Sequence, residues 1–308
     1  MSRYGRMRRI QRMDPERDYE EIFRQITLYE FPWDYQQGVS IAFLRDYGIP
    51  RISELLDRTQ EFEKAGQKRY DDTLLFAYEM SVDGFGSERG KAAARHLNRI
   101  HGKYRIPNED FLYVLATTVV GPKRWIERFG WRPLCANERT AMALVGHRMA
   151  EVMDIHGAPR TMEGFERLLD TYEAEMFAYH PANRRVATAT FRTMASWYPA
   201  PLRPFVGRFS LALLDGPLLS ALGFPRQPGW LRALAAAALR TRSTLLRLGP
   251  ARPRWRPAKL KLRSYPFGYT LDDLGPAWAH NRPLKPLPEE READQGGATV
   301  SDLREEAS

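Results

Sequence analysis

At 308 residues, 43% hydrophobic and 28% charged, the chain has the composition of a soluble globular protein of one or two domains with a sizeable core. Its one cysteine, Cys135, excludes an intrachain disulfide and reads as a small buried apolar residue. The net charge of +9 is local, because residues 226–263 hold eleven Lys/Arg and no acid while the last twenty residues are acidic, which argues against an overall nucleic-acid footprint.

The N-terminus is basic through Arg3, Arg6, Arg8, Arg9 and Arg12, but no apolar run follows, as a signal peptide would require. No stretch reaches the uncharged apolar length of a spanning helix; residues 209–225 come nearest and contain Asp215, Gly216 and Pro217. The expectation is a cytoplasmic protein. Asp14 is placed to cap a helix with Pro15 at its first position, running to about residue 30. Helices are predicted from 34 to 48 and from 50 to about 62, the latter with Ile52, Leu55, Leu56 and Thr59 on one face.

Residues 67–104 carry the strongest functional signal. Two helical patterns meet at Gly84-Phe85-Gly86, with Ser87 as the N-cap of the second and Gly102 at its end. In the first, Arg69, Asp72, Thr73, Phe76 and Met80 share a face that begins polar and turns apolar. In the second, Ala94, Leu97, His101 and Tyr104 share a face, so a lone imidazole sits in an apolar stripe. Spacing alone favours the plainer readings, His101 as a hydrogen-bonded core histidine and Arg69 with Asp72 as a weak surface pair.

Further along, Asn108 is placed to cap a helix that Gly121-Pro122 interrupts. Helices are expected at 138–156, from a Thr161 cap to about 179, and at 183–198. Beyond Pro199 come two apolar helices within 201–249, separated by residues 223–229, and then a stretch rich in proline and arginine. No alternating run is long enough for a sheet. The fold class is all-α, a single multi-helix domain over residues 1–200. Residues 201–263 form an apolar and basic helical extension, packed on the same domain or apart from it, and 264–308 a disordered tail.

The pattern Lys68-Arg69-Tyr70-Asp71-Asp72-Thr73, followed by residues 97–115 (LNRIHGKYRIPNEDFLYVL), resembles the MpaB-type oxygenase family. That family is related to the latex-clearing rubber oxygenases, within a broad group of α-helical haem proteins. The resemblance includes Asp14-Pro15, Phe31-Pro32 and residues 49–56, and continues through Trp125-Ile126 and Glu138 to about Tyr179. It implies a globin-like core holding a non-covalent haem b, with His101 as iron ligand and Arg69 and Thr73 on the oxygen side. Phe76 and Leu97, on the same stripes, are the expected apolar walls. Rubber oxygenases carry a lysine just before the threonine, where this chain has Asp72, so a mechanism needing that amine does not carry over. Asp72 is expected to hold Arg69 or act as a base in its place.

Haem needs a flat apolar slot and an axial ligand that stays neutral, and burial lowers the pKa of an imidazole. The residues around Cys135 lack the glycine-rich setting of a haem-thiolate ligand, and no Cys-x-x-Cys-His attachment motif is present. His96 reads as exposed and His147 and His156 as divergent, and the lack of a second carboxylate–histidine pair at ligand spacing disfavours a dinuclear iron site. The expected function is a haem-dependent oxygenase taking dioxygen and an apolar isoprenoid or lipid-like substrate. The alternative is a haem or lipid carrier without turnover. In residues 226–263 the aromatics are few and cations interleave with leucine and alanine, which suits peripheral membrane contact through 201–263 better than nucleic acid.

Overall fold

One glycine, Gly38, sets the centre of the fold. Helix α3 (Pro32–Asp46) crosses α7 (Asn108–Phe129) where a Cβ on Gly38 would lie 2.3 Å from the Cα of Pro122, so the backbones touch with no side chain between them. The expected interruption at Gly121-Pro122 is not there: α7 runs through it, with Pro122 buried against α3. The missing N–H of Pro122 weakens one turn of α7, and close packing at the crossing offsets it.

This computed structural model describes residues 4–260 and 262–280. Among them are helices and no strands, as the sequence pattern predicts. Before the central pair come α1 (Gly5–Ile10), α2 (Tyr19–Gln25) and a π-helical turn, Ile26–Glu30. The helix expected from Asp14 starts later, because the Asp14 carboxylate folds back to accept from the Glu16 N–H (3.0 Å) and makes a local turn. Between α3 and α7 lie α4 (Pro50–Thr59), α5 (Glu61–Ser81) and α6 (Glu88–His101). After α7 come α8 (Ala136–Val152), α9 (Met162–Met176) and α10 (Pro181–Ser196). Cys135, only half-buried, is the N-cap of α8, where the Glu138 carboxylate accepts from its backbone N–H (2.8 Å).

The region beyond residue 200 forms three helices, α11 (Arg203–Leu213), α12 (Gly216–Leu222) and α13 (Gly229–Leu248), where the sequence suggests two. Asp215 caps α12 by accepting from the Leu218 N–H (3.0 Å), a stop-and-start signal hidden in an apolar run. Helix α13 packs Leu239 against Trp125 and Phe129 of α7, so this region rests on the same body.

Residues 264–280 are not a disordered tail. They form an irregular strap across α5 and α6, with Leu274 fully buried. The Asp71 carboxylate accepts from the Arg263 and Ser264 N–H groups (3.0 and 2.8 Å), and Asp72 from the Gly275 N–H (3.0 Å). A strap without helical period has its backbone satisfied by side chains of another element, which local pattern cannot reveal. The remainder of the expected tail, 281–308, lies outside the described residues.

Candidate functional site

Helices α5 and α6 form a hairpin closed by the turn at residues 82–87. Gly84 adopts φ +98°, and Gly90 must be glycine because a Cβ there would sit 2.3 Å from the Gly84 carbonyl. Ser87 caps α6 by accepting from the Gly90 N–H (2.9 Å), as its position predicts. The hairpin thereby fixes the register between the polar start of one helix and the end of the other.

The two faces of α5 do different jobs. On one, the Arg69 guanidinium donates to the Thr73 hydroxyl, which donates in turn to the Arg69 carbonyl (2.9 Å). Arg69 also lies over the Phe62 ring, 5.5 Å from its centre. No carboxylate pairs with Arg69 among the described residues. On the other face, Asp72 accepts from Lys68 (2.7 Å), Gly275 and the Tyr265 hydroxyl. The structure therefore brings Arg69 and Thr73 together and leaves Asp72 out. One residue of offset on a helix turns a side chain by about 100°, and here that separates Thr73 from a carboxylate holding the strap.

His101 stands at the end of α6 with its ring against Phe111 of α7 (centroids 5.1 Å apart). No hydrogen bond from the described residues meets either ring nitrogen. Burial pushes its pKa from 6.5 down to about 4, and the positive charge of Arg69 adds to the effect. The Arg69 cation on α5 thus acts on His101 at the end of the neighbouring α6. The imidazole is neutral at physiological pH and has a free lone pair. Among the described residues no three His, Cys, Asp or Glu side chains converge as a metal site.

The other expected residues are placed differently. Phe76 stacks on His96 (5.5 Å between centroids, 29° between planes), and Leu97 is half-buried against the main core. His96 is buried, not exposed: its Nε2 contacts the Leu274 carbonyl (2.9 Å) and its Nδ1 meets Arg99 (2.6 Å). It is a core histidine tied to the strap. His147 and His156 line one shallow groove with Glu151 and Asp154, because the loop after α8 returns the chain.

Asp46, at the end of α3, was not singled out from the sequence. It is buried and accepts from the Thr117 hydroxyl of α7 (2.9 Å), and desolvation, with the nearby Glu173 charge, holds its carboxyl well above the usual range. It lies within electrostatic reach of Arg69, as does Tyr47. Its signal was its place four residues after Ala42 and seven after Val39, both buried.

The strap bonds carry a prediction. Asp72→Ala leaves the buried Gly275 N–H without its acceptor and takes one acceptor each from the Tyr265 hydroxyl and Lys68, which keep the Asp273 carbonyl, at a cost of about 1–3 kcal/mol. Urea unfolding of the variant should show a lower midpoint, with earlier protease cleavage in residues 262–280. An unchanged midpoint would contradict this assignment of Asp72.

The likenesses to known proteins bear on the same helices. Residues 49–243 match the family described as ER-bound oxygenase mpaB/B'/Rubber oxygenase, catalytic domain. The chain is 30% identical over 257 residues to the ER-bound oxygenase mpaB' of Penicillium brevicompactum, covering 76% of this chain and 60% of that one. It is 30% identical over 231 residues to mpaB of the same organism, covering 68% and 59% of the two chains. It thus spans about three fifths of the length of these relatives. The latex clearing protein LCP in the closed state shares the fold, with a TM-score of 0.56 at 17% identity over 80% of this chain and 73% of that one. The chain belongs to the family of mpaB-type and rubber oxygenases, whose catalytic-domain pattern residues 49–243 match.

Proposed function

We propose that this protein is a haem b-dependent oxygenase acting on an apolar, isoprenoid or lipid-like substrate, with His101 as the iron ligand and Arg69 and Thr73 on the oxygen side. The observation that carries the reading is the pairing of a neutral, unpartnered imidazole with a carboxylate-free arginine on the adjacent helix. A single imidazole donor suits a metal that brings its own equatorial ligands, as haem does. When bound, haem supplies the binding and activation of dioxygen.

The chain's own residues divide the remaining work. His101 offers a lone pair without a competing proton. Arg69 provides a fixed cation for negative charge developing on oxygen, and its bond to Thr73 fixes the guanidinium in direction. Phe62 lies against Arg69 and Phe111 against His101, so each group has an aromatic neighbour. Asp72, engaged by the strap, takes no part in this scheme.

A carrier that binds haem or lipid without turnover is the competing reading. Haem-loaded protein offered an apolar polyene should consume dioxygen in proportion to oxidised product. Haem binding with no oxygen uptake on any such substrate would favour the carrier.

The outer face of α11 and α13 supports peripheral membrane contact. Phe205, Trp230, Leu245 and Leu248 are 68%, 69%, 65% and 82% exposed. Arg240 and Arg247 pair with no carboxylate among the described residues, whereas Arg242 is spent on the buried Asp34 (2.9 Å). Among the described residues no helix is long and apolar enough to cross a membrane. The expected result is salt-sensitive binding to phosphatidylserine vesicles, each cation near the surface contributing on the order of 1 kcal/mol. Arg240→Gln with Arg247→Gln should weaken it severalfold while Arg242→Gln acts on stability. Protein that stays in solution at low salt would refute the contact.

A further inference from the structure

A groove of about 550 Å³ opens between α4, the start of α5 and α10. Its floor is apolar, formed by Leu56, Phe62 and the buried Val186 and Ala189. Its rim is charged. Asp57 pairs with Arg185 (2.7 Å) and Glu63 with Arg192, both exposed ion pairs that are weak individually. The third rim arginine, Arg184, has no carboxylate partner among the described residues; it donates to the Gly223 carbonyl and stacks on Phe224 at 4.6 Å.

One ring joins this groove to the site described above. Phe62 lines the groove, yet the Arg69 guanidinium lies 5.5 Å from its centre and Tyr47 meets it edge-on at 5.4 Å. The backbone around it is broken twice. Gln60 takes a left-handed conformation (φ 59°, ψ 7°), and Ala65 leaves helical geometry (φ −138°, ψ 36°). The first turn of α5, which bears Phe62, is therefore bounded by two breaks in helical geometry. Immediately after the second break α5 is held to α10 at Gly66, where a Cβ would come within 2.5 Å of the Thr193 hydroxyl.

We infer that this groove admits the substrate: one hydrocarbon chain bearing an anionic head group, the head at Arg184 and the tail passing Phe62 towards Arg69 and Thr73. The volume falls within the range of about 300–1,000 Å³ usual for small-molecule sites. Apolar lining and one uncompensated cation select for an amphiphile with a single negative charge. The inference rests on the reading of Arg69 and His101 as the place of oxygen chemistry.

The test is a fluorescence titration of the whole protein, haem-loaded and haem-free, with the polyunsaturated fatty acid cis-parinaric acid and with its methyl ester. The acid is expected to bind saturably and more tightly than the ester. Thr188→Trp, which fills the groove from a half-exposed wall, should weaken both about tenfold or more. Arg184→Gln, at an exposed position, should weaken the acid a few-fold and leave the ester unchanged. Bound haem should quench the probe, because the tail lies towards His101. No saturable binding, equal affinity for acid and ester, or binding indifferent to both substitutions would overturn the proposal, as would an unquenched probe in haem-loaded protein. Fatty-acid binding by a protein that takes up no haem would instead overturn the reading of His101.

Discussion

Replacing His101 by alanine should strip the purified protein of haem, while replacing any of the other five histidines should leave haem stoichiometry unchanged. The five serve elsewhere. His96 is bound to the strap, His147 contacts the Ala158 and Pro159 carbonyls, His180 caps α10, His280 contacts the Gly275 carbonyl, and His156 lies near Asp154. His96→Ala should lower thermal stability, since it removes a buried partner of Leu274, but keep the haem. The pH dependence gives a second handle. The folded state holds the His101 pKa at about 4, below the ordinary 6.5, so between these values the unfolded chain binds more protons. Stability of the haem-free protein should therefore fall as pH is lowered through that window, and His101→Ala should lessen the slope. Haem titration followed at the Soret band, with unfolding at several pH values, checks both. Full haem occupancy in His101→Ala would defeat the assignment.

Arg69→Ala should keep the haem and slow oxygen consumption by about tenfold to a thousandfold, the range expected on removing one preorganised charge-stabilising donor. The substitution also lifts the cation that depresses the His101 pKa, so that pKa should rise. Thr73→Val should have a smaller effect in the same direction, because it frees the guanidinium it directs without removing its charge. Oxygen uptake measured against haem concentration separates slower chemistry from lost cofactor. Turnover equal to the parent in both variants would place them outside the reaction.

Much of this was legible in the chain because it is local. The Ser87 cap, the Gly84 turn and the four-residue spacing of Arg69 and Thr73 are helical geometry written directly in sequence. What periodicity could not show was which face of α5 meets which neighbour. Asp72 shares a broad stripe with Arg69, and only the strap decides that its carboxylate turns away. The strap was missed because its backbone is held by Asp71, Asp72 and His96, nearly two hundred residues away. Pro122 misled for a related reason, since its cost inside α7 is offset by packing on Gly38 from a separate helix. The burial of Asp46 follows from the α3–α7 crossing, which brings Thr117 to its carboxylate.

The most direct test of the central claim is an absorption spectrum of the purified protein, supplied with haem, as isolated and again after dithionite. The account predicts a Soret band that shifts on reduction and, on exposure to carbon monoxide, shifts again to the position of a histidine-ligated haem. A spectrum with no band above that of free haem, in protein shown by circular dichroism to be folded and helical, would contradict it.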